Sequence, residues 1–470
     1  MKQKLGNIFG IISIISAVLY AVFFSLSRKQ FTETFFVYSF LFLCLYAYYK
    51  VSKQAFQMNY RLLSKKWTGR FFNSDVLVLV LAVGVMCRLL LLTYTPNLSQ
   101  DFFRFIWDGR QLLEGYNPYL YLPDEVMRSD TSIPNAAYLH ANMGELSSGH
   151  YTNYPPLNQL FFAAAAFLGG KSVFATMLWM RVFIIIADVG IFFYGIKLLK
   201  LLGKSPYLIL LYFLNPFVVI ELTGNLHFDG MVAFLLLLSV YYLLKSQQIK
   251  TALFLAYGVL LKLTPLIVLP LLFRKLDWKR ASFLYLAVGA IVLIGFLPFY
   301  SNDLIEKYSG SVALWFGNFE FNASVFYVIR AIGYELTGYN VIETAGVLLP
   351  MITFLSVLFI ALKRKNEIPE VLLSSIVFSF FIYLLLSTTV HPWYLTIPLL
   401  FSIFTRYRFM LVWSFVVFLS YYTYSNSQFT ENLVVVGLEY AVVGAVFLWE
   451  ILYFKKNNLQ KNLKAFKTVC

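Results

Sequence analysis

Asp101, Arg104, Asp108, Arg110 and Glu114 crowd the stretch SQDFFRFIWDGRQLLEGYNPY at residues 99–119, directly after an apolar run that ends near Tyr94. Carboxylates can exchange protons and cations can hold anions, so a cluster of both where a helix leaves the membrane is a candidate for chemistry. Asp101 is the first side chain able to meet a membrane-embedded substrate as the chain emerges, and Arg104 follows one turn later. The pattern predicts an amphipathic helix over 101–113, with Asp101, Arg104 and Asp108 sharing a face at spacing i, i+3, i+7. Such a helix is expected to lie along the membrane surface, its aromatic and aliphatic residues dipped into the headgroup region. Gly115 ends it and Asn117-Pro118 makes a turn. For Arg104, Asp108 and Arg110 a second reading stays open: an ion-pair set that fixes the loop, each exposed pair contributing only ~0–1 kcal/mol.

Further polar residues interrupt apolar surroundings. Lys262 sits within YGVLLKLTPLIVLP, with Pro265 and Pro270 breaking the helix beyond it. An ionisable residue inside an apolar span costs ~2.5–3.5 kcal/mol on insertion scales and is a functional candidate by default. Lys262 can therefore meet a lipid phosphate, or it can snorkel to the interface. Arg181 and Asp188 are expected to pair with neighbouring helices, and Arg88 reads as packing or snorkelling. Asn225, His227 and Asp229 cluster in TGNLHFDG, where two potential ligands make a weak metal site. His391, ahead of Pro392 and Trp393, can reach the same cavity as Asp101, or it can be an interfacial histidine hydrogen-bonded to backbone. Tyr154-Pro155-Pro156-Leu157-Asn158-Gln159 closes the first large loop, its prolines stiffening the approach to the next apolar run.

The elements that carry these residues are membrane helices. The chain is 60% hydrophobic and 13% charged over 470 residues, which excludes a soluble globular domain. A bilayer-spanning helix needs ~20 mostly apolar residues, and such runs repeat from end to end. Runs near 8–27, 32–49, 74–95, 157–170, 173–196, 206–222, 228–244, 251–273, 281–300, 342–362, 370–389, 393–404, 409–424 and 433–453 predict an all-α polytopic protein of about 12–14 transmembrane helices. The +15 net charge does not signal nucleic acid, because the basic residues fall in short connections. By the positive-inside rule, both termini, 50–72, Arg274–Arg280, Lys363–Lys365 and Arg406–Arg408 face the cytoplasm. Residues 96–156, 301–341, the stretch before His391 and 425–432 then face outward. In this count Lys197, Lys200 and Lys204 fall on the wrong side, and the turn at His227 falls inside, away from Asp101. Cys44, Cys87 and Cys470 form no disulfide or metal spacing. No strand–helix alternation or glycine-rich phosphate loop is present, and the inward connections are too short for a nucleotide-binding domain. The whole of 1–470 reads as a single integral-membrane domain.

The motif D-F-F-R-F-I-W-D-G-R-x-L-x-x-G-x-N-P-Y after a membrane helix, with NYPPLNQ, NPFVVIELTGNLHFDG, LKLTPLIVLPLLF and HPWYL downstream, resembles the GT-C fold glycosyltransferases. It is most similar to bacterial mannosyltransferase-like proteins that use polyprenyl-phosphate sugars. The resemblance implies a GT-C-like core over 73–400, extra N-terminal helices over 1–72 and C-terminal helices over 401–470, with outer loops carrying interfacial helices. It implies an inverting transferase that moves a hexose, mannose being the expected one, from a polyprenyl-phosphate donor to an outward-facing glycan or lipid-linked acceptor. Asp101 matches the family's catalytic base. Arg104, Asp108, Arg110, Asn117, Tyr154, Gln159, Lys262 and His391 are the expected substrate-binding residues. Some relatives carry a second acid beside the base. Here Ser99 and Gln100 precede Asp101, so a paired-acid metal site is not expected; no cofactor is implied, and a divalent metal stays open. The expected partners are the lipid-linked donor, the glycan or glycolipid acceptor and membrane lipids, with no nucleic acid. The expected location is a bacterial inner membrane with the site on the periplasmic face. A flippase or polymerase of lipid-linked glycans is the competing class; a flippase normally shows pseudo-symmetric halves, and none are visible.

Overall fold

Runs of leucine, isoleucine, valine and phenylalanine satisfy their backbone groups in helices, the only open-chain solution available in hydrocarbon. A computed structural model describes residues 2–63, 69–129, 131–426 and 428–467. Parts of the basic connection 50–72, and Cys470, lie outside the described residues. Among the described residues six helices are long and apolar enough to cross a membrane: Gly6–Ser25, Phe31–Gln57, Val173–Leu201, Trp278–Phe299, Ile342–Lys363 and Leu433–Lys456. A seventh span is the pair Pro206–Phe213 and Pro216–Gly224, bent by 49°. The bend falls at Asn215-Pro216, where the proline cannot donate a helical hydrogen bond and Asn215 caps the amide of Phe217 at 3.0 Å. Shorter apolar helices, Pro156–Gly169, Asp229–Leu244, Gln248–Leu261, Pro369–Leu385 and Phe409–Ser425, pack among the long ones. The protein is thus all-α and polytopic; against the 12–14 spans expected, six helices, or seven with the bent pair, are long and apolar enough to cross among the described residues. Among the described residues, backbone pairing outside helices is one isolated bridge between Phe321 and Thr389.

Two buried arginines hold the frame together. Arg88 pairs with Asp188 at 2.7 Å, both side chains fully buried, and also donates to the carbonyls of Gly84 and Phe213 at 2.9 Å each. It neither snorkels nor merely packs, as expected from sequence; it ties Gly69–Leu89 to Val173–Leu201. Among the described residues Arg181 has no carboxylate partner. It donates to the carbonyls of Leu92, Thr223, Tyr94 and Gly224, groups left open where helical segments end. Asp188 therefore finds its partner on a neighbouring helix, whereas Arg181 is satisfied by backbone.

The helix Pro156–Gly169 corrects the expected chain path. It lies along Asp101–Leu113: it starts beside the loop at Tyr154, and past its end the Gly170 carbonyl accepts from Arg110 at 3.3 Å. Gly109 permits the close approach, since a Cβ there would sit 2.3 Å from the Phe162 carbonyl oxygen. This segment does not carry the chain to the opposite end, so the helices from Val173–Leu201 to Gln248–Leu261 reverse relative to the sequence count; the expected span 251–273 turns back at Lys262 and restores the count beyond it. Lys204 consequently donates to the Phe404 carbonyl, two residues before Arg406. The lysines that broke the positive-inside pattern thus join the other basic residues.

The helix Asp101–Leu113 itself is not open to its surroundings. Nine of its residues are buried, Arg104, Asp108 and Arg110 among them. The charged face expected to meet solvent is instead covered by Ala136–Met143 and Pro156–Gly169.

Candidate active site

Asp101 is the first residue of its helix, with its amide 3.2 Å from the Ser99 hydroxyl. Its side chain opens into a cavity of about 140 Å³ whose walls come from distant parts of the chain. The lining includes Tyr154, His227, Asp229, Lys262, His391 and Trp393. A smaller cavity of about 50 Å³ shares Asp101, Phe105, Asn153 and Tyr154 with the first and adds Arg104 and His150. Asp101 therefore stands at the junction of two openings.

Several wall residues are delivered where a helix stops or starts. Gln248–Leu261 ends because Lys262 adopts an extended backbone, φ −159°, ahead of Thr264-Pro265. Lys262 Nζ then reaches Asp229 Oδ1 at 2.7 Å and lies 4.3 Å from the centre of the Tyr394 ring. The span before Asp229 closes with a π-helical turn, Val219–Gly224. Leu226 follows in the left-handed region at φ 65° while fully buried. That conformation costs a branched side chain roughly 1–2 kcal/mol, and it turns the next residue, His227, toward Asp101. Pro392 starts the short helix that presents Trp393 and Tyr394.

Three aromatic planes form one wall. His227 stacks on Trp393 at 3.6 Å, and Trp393 on His391 at 4.5 Å. Phe321 covers the far face of His391 at 5.1 Å. Burial holds the His227 imidazole well below its ordinary value and pushes His391 down to about 3, with Lys262 acting in the same sense on both. Both rings are neutral at physiological pH. Withdrawal from water pushes the Asp101 carboxyl up to about 6, against the opposing pull of Lys262 and Ser99. This is the range in which a carboxylate can exchange a proton near neutrality.

Of the residues expected from sequence, Asp101, Tyr154, Lys262 and His391 meet in the larger cavity, and Arg104 borders the smaller one. The others are not brought there. Asp108 is fully buried and accepts from Arg104 at 2.6 Å and Gln159 at 3.0 Å. Gln159 also donates to Thr152 at 2.7 Å. Arg110 is spent on the Pro134 and Gly170 carbonyls and the Asn135 side chain. Asn117 donates to the Phe299 carbonyl at 3.0 Å, fastening one outer loop to the next. Lys262 does not snorkel to an interface; it is an ion-paired cavity wall. The turn at His227, placed inside by the sequence count, lies in the site, with Nε2 3.9 Å from Asp101 Oδ2. Sequence reasoning read Asp229 only as a weak metal ligand and missed Trp393 and Val312 as walls of the cavity. The only signal for the first two was their place beside prolines or glycines at the ends of apolar runs. Among the described residues no group of three or more His, Cys, Asp or Glu is arranged to hold a metal ion.

Residues 13–276 match the family described as alpha-(1->6)-mannopyranosyltransferase, N-terminal domain. The match takes in most of the N-terminal helices and every wall of the larger cavity up to Thr264. No curated protein matches the chain.

Proposed function

This chain belongs to the alpha-(1->6)-mannopyranosyltransferase family and is a membrane mannosyltransferase, and we propose that it transfers mannose from a polyprenyl-phosphate carrier to the 6-hydroxyl of an outward-facing mannoside. The observation that carries the reading is a single cavity holding a carboxylate, Asp101, across from a cation, Lys262, at the ends of apolar helices.

In the proposed reaction the acceptor oxygen attacks the anomeric carbon while the bond to the lipid phosphate breaks, its electron pair leaving with the phosphate. Asp101 receives the hydroxyl proton as the oxygen becomes acidic in the transition state; it is too weak a base to remove it beforehand. Lys262 is the cation toward which the departing phosphate charge grows. One displacement inverts the anomeric centre, so an α linkage requires a β-configured donor. At about 140 Å³ the cavity is smaller than the ~300–1,000 Å³ typical of ligand sites. It holds a polar head, and the prenyl chain lies outside it. The wall at Leu263 and Thr264 leads to Leu266, a leucine 41% exposed on the apolar surface. We place this site on the periplasmic face of a bacterial inner membrane, because the basic connections gather at the opposite end.

The test uses purified protein in liposomes with a mannoside acceptor and radiolabelled mannose supplied on a polyprenyl phosphate or as GDP-mannose. Product from the lipid donor supports the reading. Product from GDP-mannose with no polyprenyl carrier present refutes it.

A further inference from the structure

His227 is held in one tautomer. Its Nδ1 lies 2.9 Å from the backbone carbonyl of Glu221, which can only accept, so Nδ1 carries the proton. In the neutral ring Nε2 is then a lone pair. That nitrogen is buried and, among the described residues, has no hydrogen-bond partner. It belongs to a residue that lines the larger cavity, and it stands 3.9 Å from Asp101 Oδ2. The separation is too long for a direct hydrogen bond. Two acceptors therefore face the same space, and neither can satisfy the other. The stack on Trp393 at 3.6 Å keeps the ring from turning away.

A hydroxyl has one proton and can donate to only one of these atoms. A sugar that satisfies both through its hydroxyls must therefore present two O–H groups side by side. On a mannopyranose whose O6 is the nucleophile, C5, the carbon next to C6, carries the ring oxygen, which has no proton. The nearest hydroxyl able to donate is the one at C4.

We propose that His227 is an acceptor-binding and specificity residue: Nε2 receives the hydrogen bond of the 4-hydroxyl of the mannoside whose 6-hydroxyl donates to Asp101. This rests on the reading of Asp101 as base and of O6 as nucleophile. During transfer the C1–O6 bond forms, the C1–O(phosphate) bond breaks with its pair to phosphate, and the O6 proton passes to Asp101. The 4-hydroxyl keeps its proton throughout, and His227 stays neutral. Its contribution is orientation: with O4 fixed, rotation about C5–C6 brings O6 to Asp101 and not to bulk solvent.

The experiment uses the full-length protein in liposomes, polyprenyl-phosphate mannose, and two probe acceptors, octyl α-D-mannopyranoside and its 4-deoxy analogue. With the wild type, loss of the 4-hydroxyl leaves Nε2 unpaired and lowers kcat/KM about tenfold. His227→Phe keeps a ring against Trp393 but removes the lone pair. It should lower kcat/KM for the parent acceptor by about the same factor and no longer discriminate between the two acceptors. His227→Gln, which restores an acceptor atom, should recover part of the loss. A wild type indifferent to the 4-hydroxyl, or a His227→Phe variant that still discriminates about tenfold, overturns the inference and leaves the functional reading standing. No wild-type transfer to either acceptor overturns the functional reading and the inference with it.

Discussion

Replacing Asp101 by asparagine separates catalysis from stability, because the two effects have opposite signs. Asparagine keeps the shape of the side chain but cannot take a proton, and general-base contributions run ~10²–10⁴-fold. Transfer should fall at least a hundredfold. The same change should stabilise the fold. The Asp101 carboxyl is raised from 3.8 to about 6 by its enclosure, a shift equivalent to about 3 kcal/mol at 1.36 kcal/mol per unit. Its side chain is 33% exposed, so screening reduces the effect to about 1–2 kcal/mol. The sign follows from proton binding. Between 3.8 and about 6 the folded state binds more protons than the unfolded state, so stability falls as pH rises through this window. The penalty is complete above about 6 and absent below the ordinary carboxylate range. Asp101→Asn should therefore raise the thermal midpoint at pH 8, with the gain shrinking toward pH 4.5. Thermal unfolding of the purified protein at both pH values, beside the transfer assay, tests both halves. A variant that transfers within tenfold of the wild type would refute the base assignment. A midpoint shift independent of pH would refute the claim that the cavity raises this carboxyl.

With the wild type, kcat/KM should fall as pH drops through about 6, where Asp101 becomes protonated, and the corresponding limb of kcat should lie higher because the donor phosphate adds negative charge nearby; a flat profile between pH 5 and 8 would contradict this. Lys262→Gln removes the cation held 2.7 Å from Asp229 and should lower kcat/KM for the lipid donor at least tenfold, with Lys262→Arg retaining more; unchanged donor kinetics would remove Lys262 from the phosphate site. Gly109→Ala puts a methyl group 2.3 Å from the Phe162 carbonyl oxygen, and the two helices must part at a cost of about 1–3 kcal/mol despite alanine's better helix propensity. A lowered thermal midpoint checks it, and an unchanged one would show that these helices do not touch as described.

Much of the site was legible because its residues announce themselves by position. Asp101, Lys262 and His391 each stand where an apolar run stops, Lys262 and His391 with a proline close behind, and membrane helices that stop put side chains into cavities. What sequence could not show was the partner of each charge. Asp108, Arg110 and Gln159 look like ligand-binding groups when read along the chain, yet their hydrogen bonds go to Arg104, backbone carbonyls and Thr152. The site of the His227 turn was lost to parity. The fourteen, mostly apolar residues of Pro156–Gly169 read as a short span, and one false crossing moves the following loops to the wrong side as far as Lys262, where the broken run 251–273 restores the count. The excess lysines at 197, 200 and 204 signalled the error. The aromatic wall had no local signature, since Phe321, His391, Trp393 and His227 meet only through tertiary contact.

The charge balance of the cavity explains why a raised carboxyl and an ion-paired lysine belong together. Asp101 and Asp229 face one cation, Lys262, and both neighbouring histidines are neutral. With both acids ionised the empty site would carry one net negative charge, and a phosphodiester would add another. Asp229 is the closer partner of Lys262, at 2.7 Å, so the added charge raises the proton affinity of Asp101, whose carboxyl is already raised, and transfer starts from the form in which Asp101 is ionised. As the phosphate leaves and its charge passes toward Lys262, Asp101 takes the proton of the acceptor hydroxyl. The reaction thus moves negative charge from the base to the leaving group. Cations on Asp101–Leu113 do not compete for that role, because Arg110 is committed to carbonyls and Arg104 to Asp108 and the loop at 147–150.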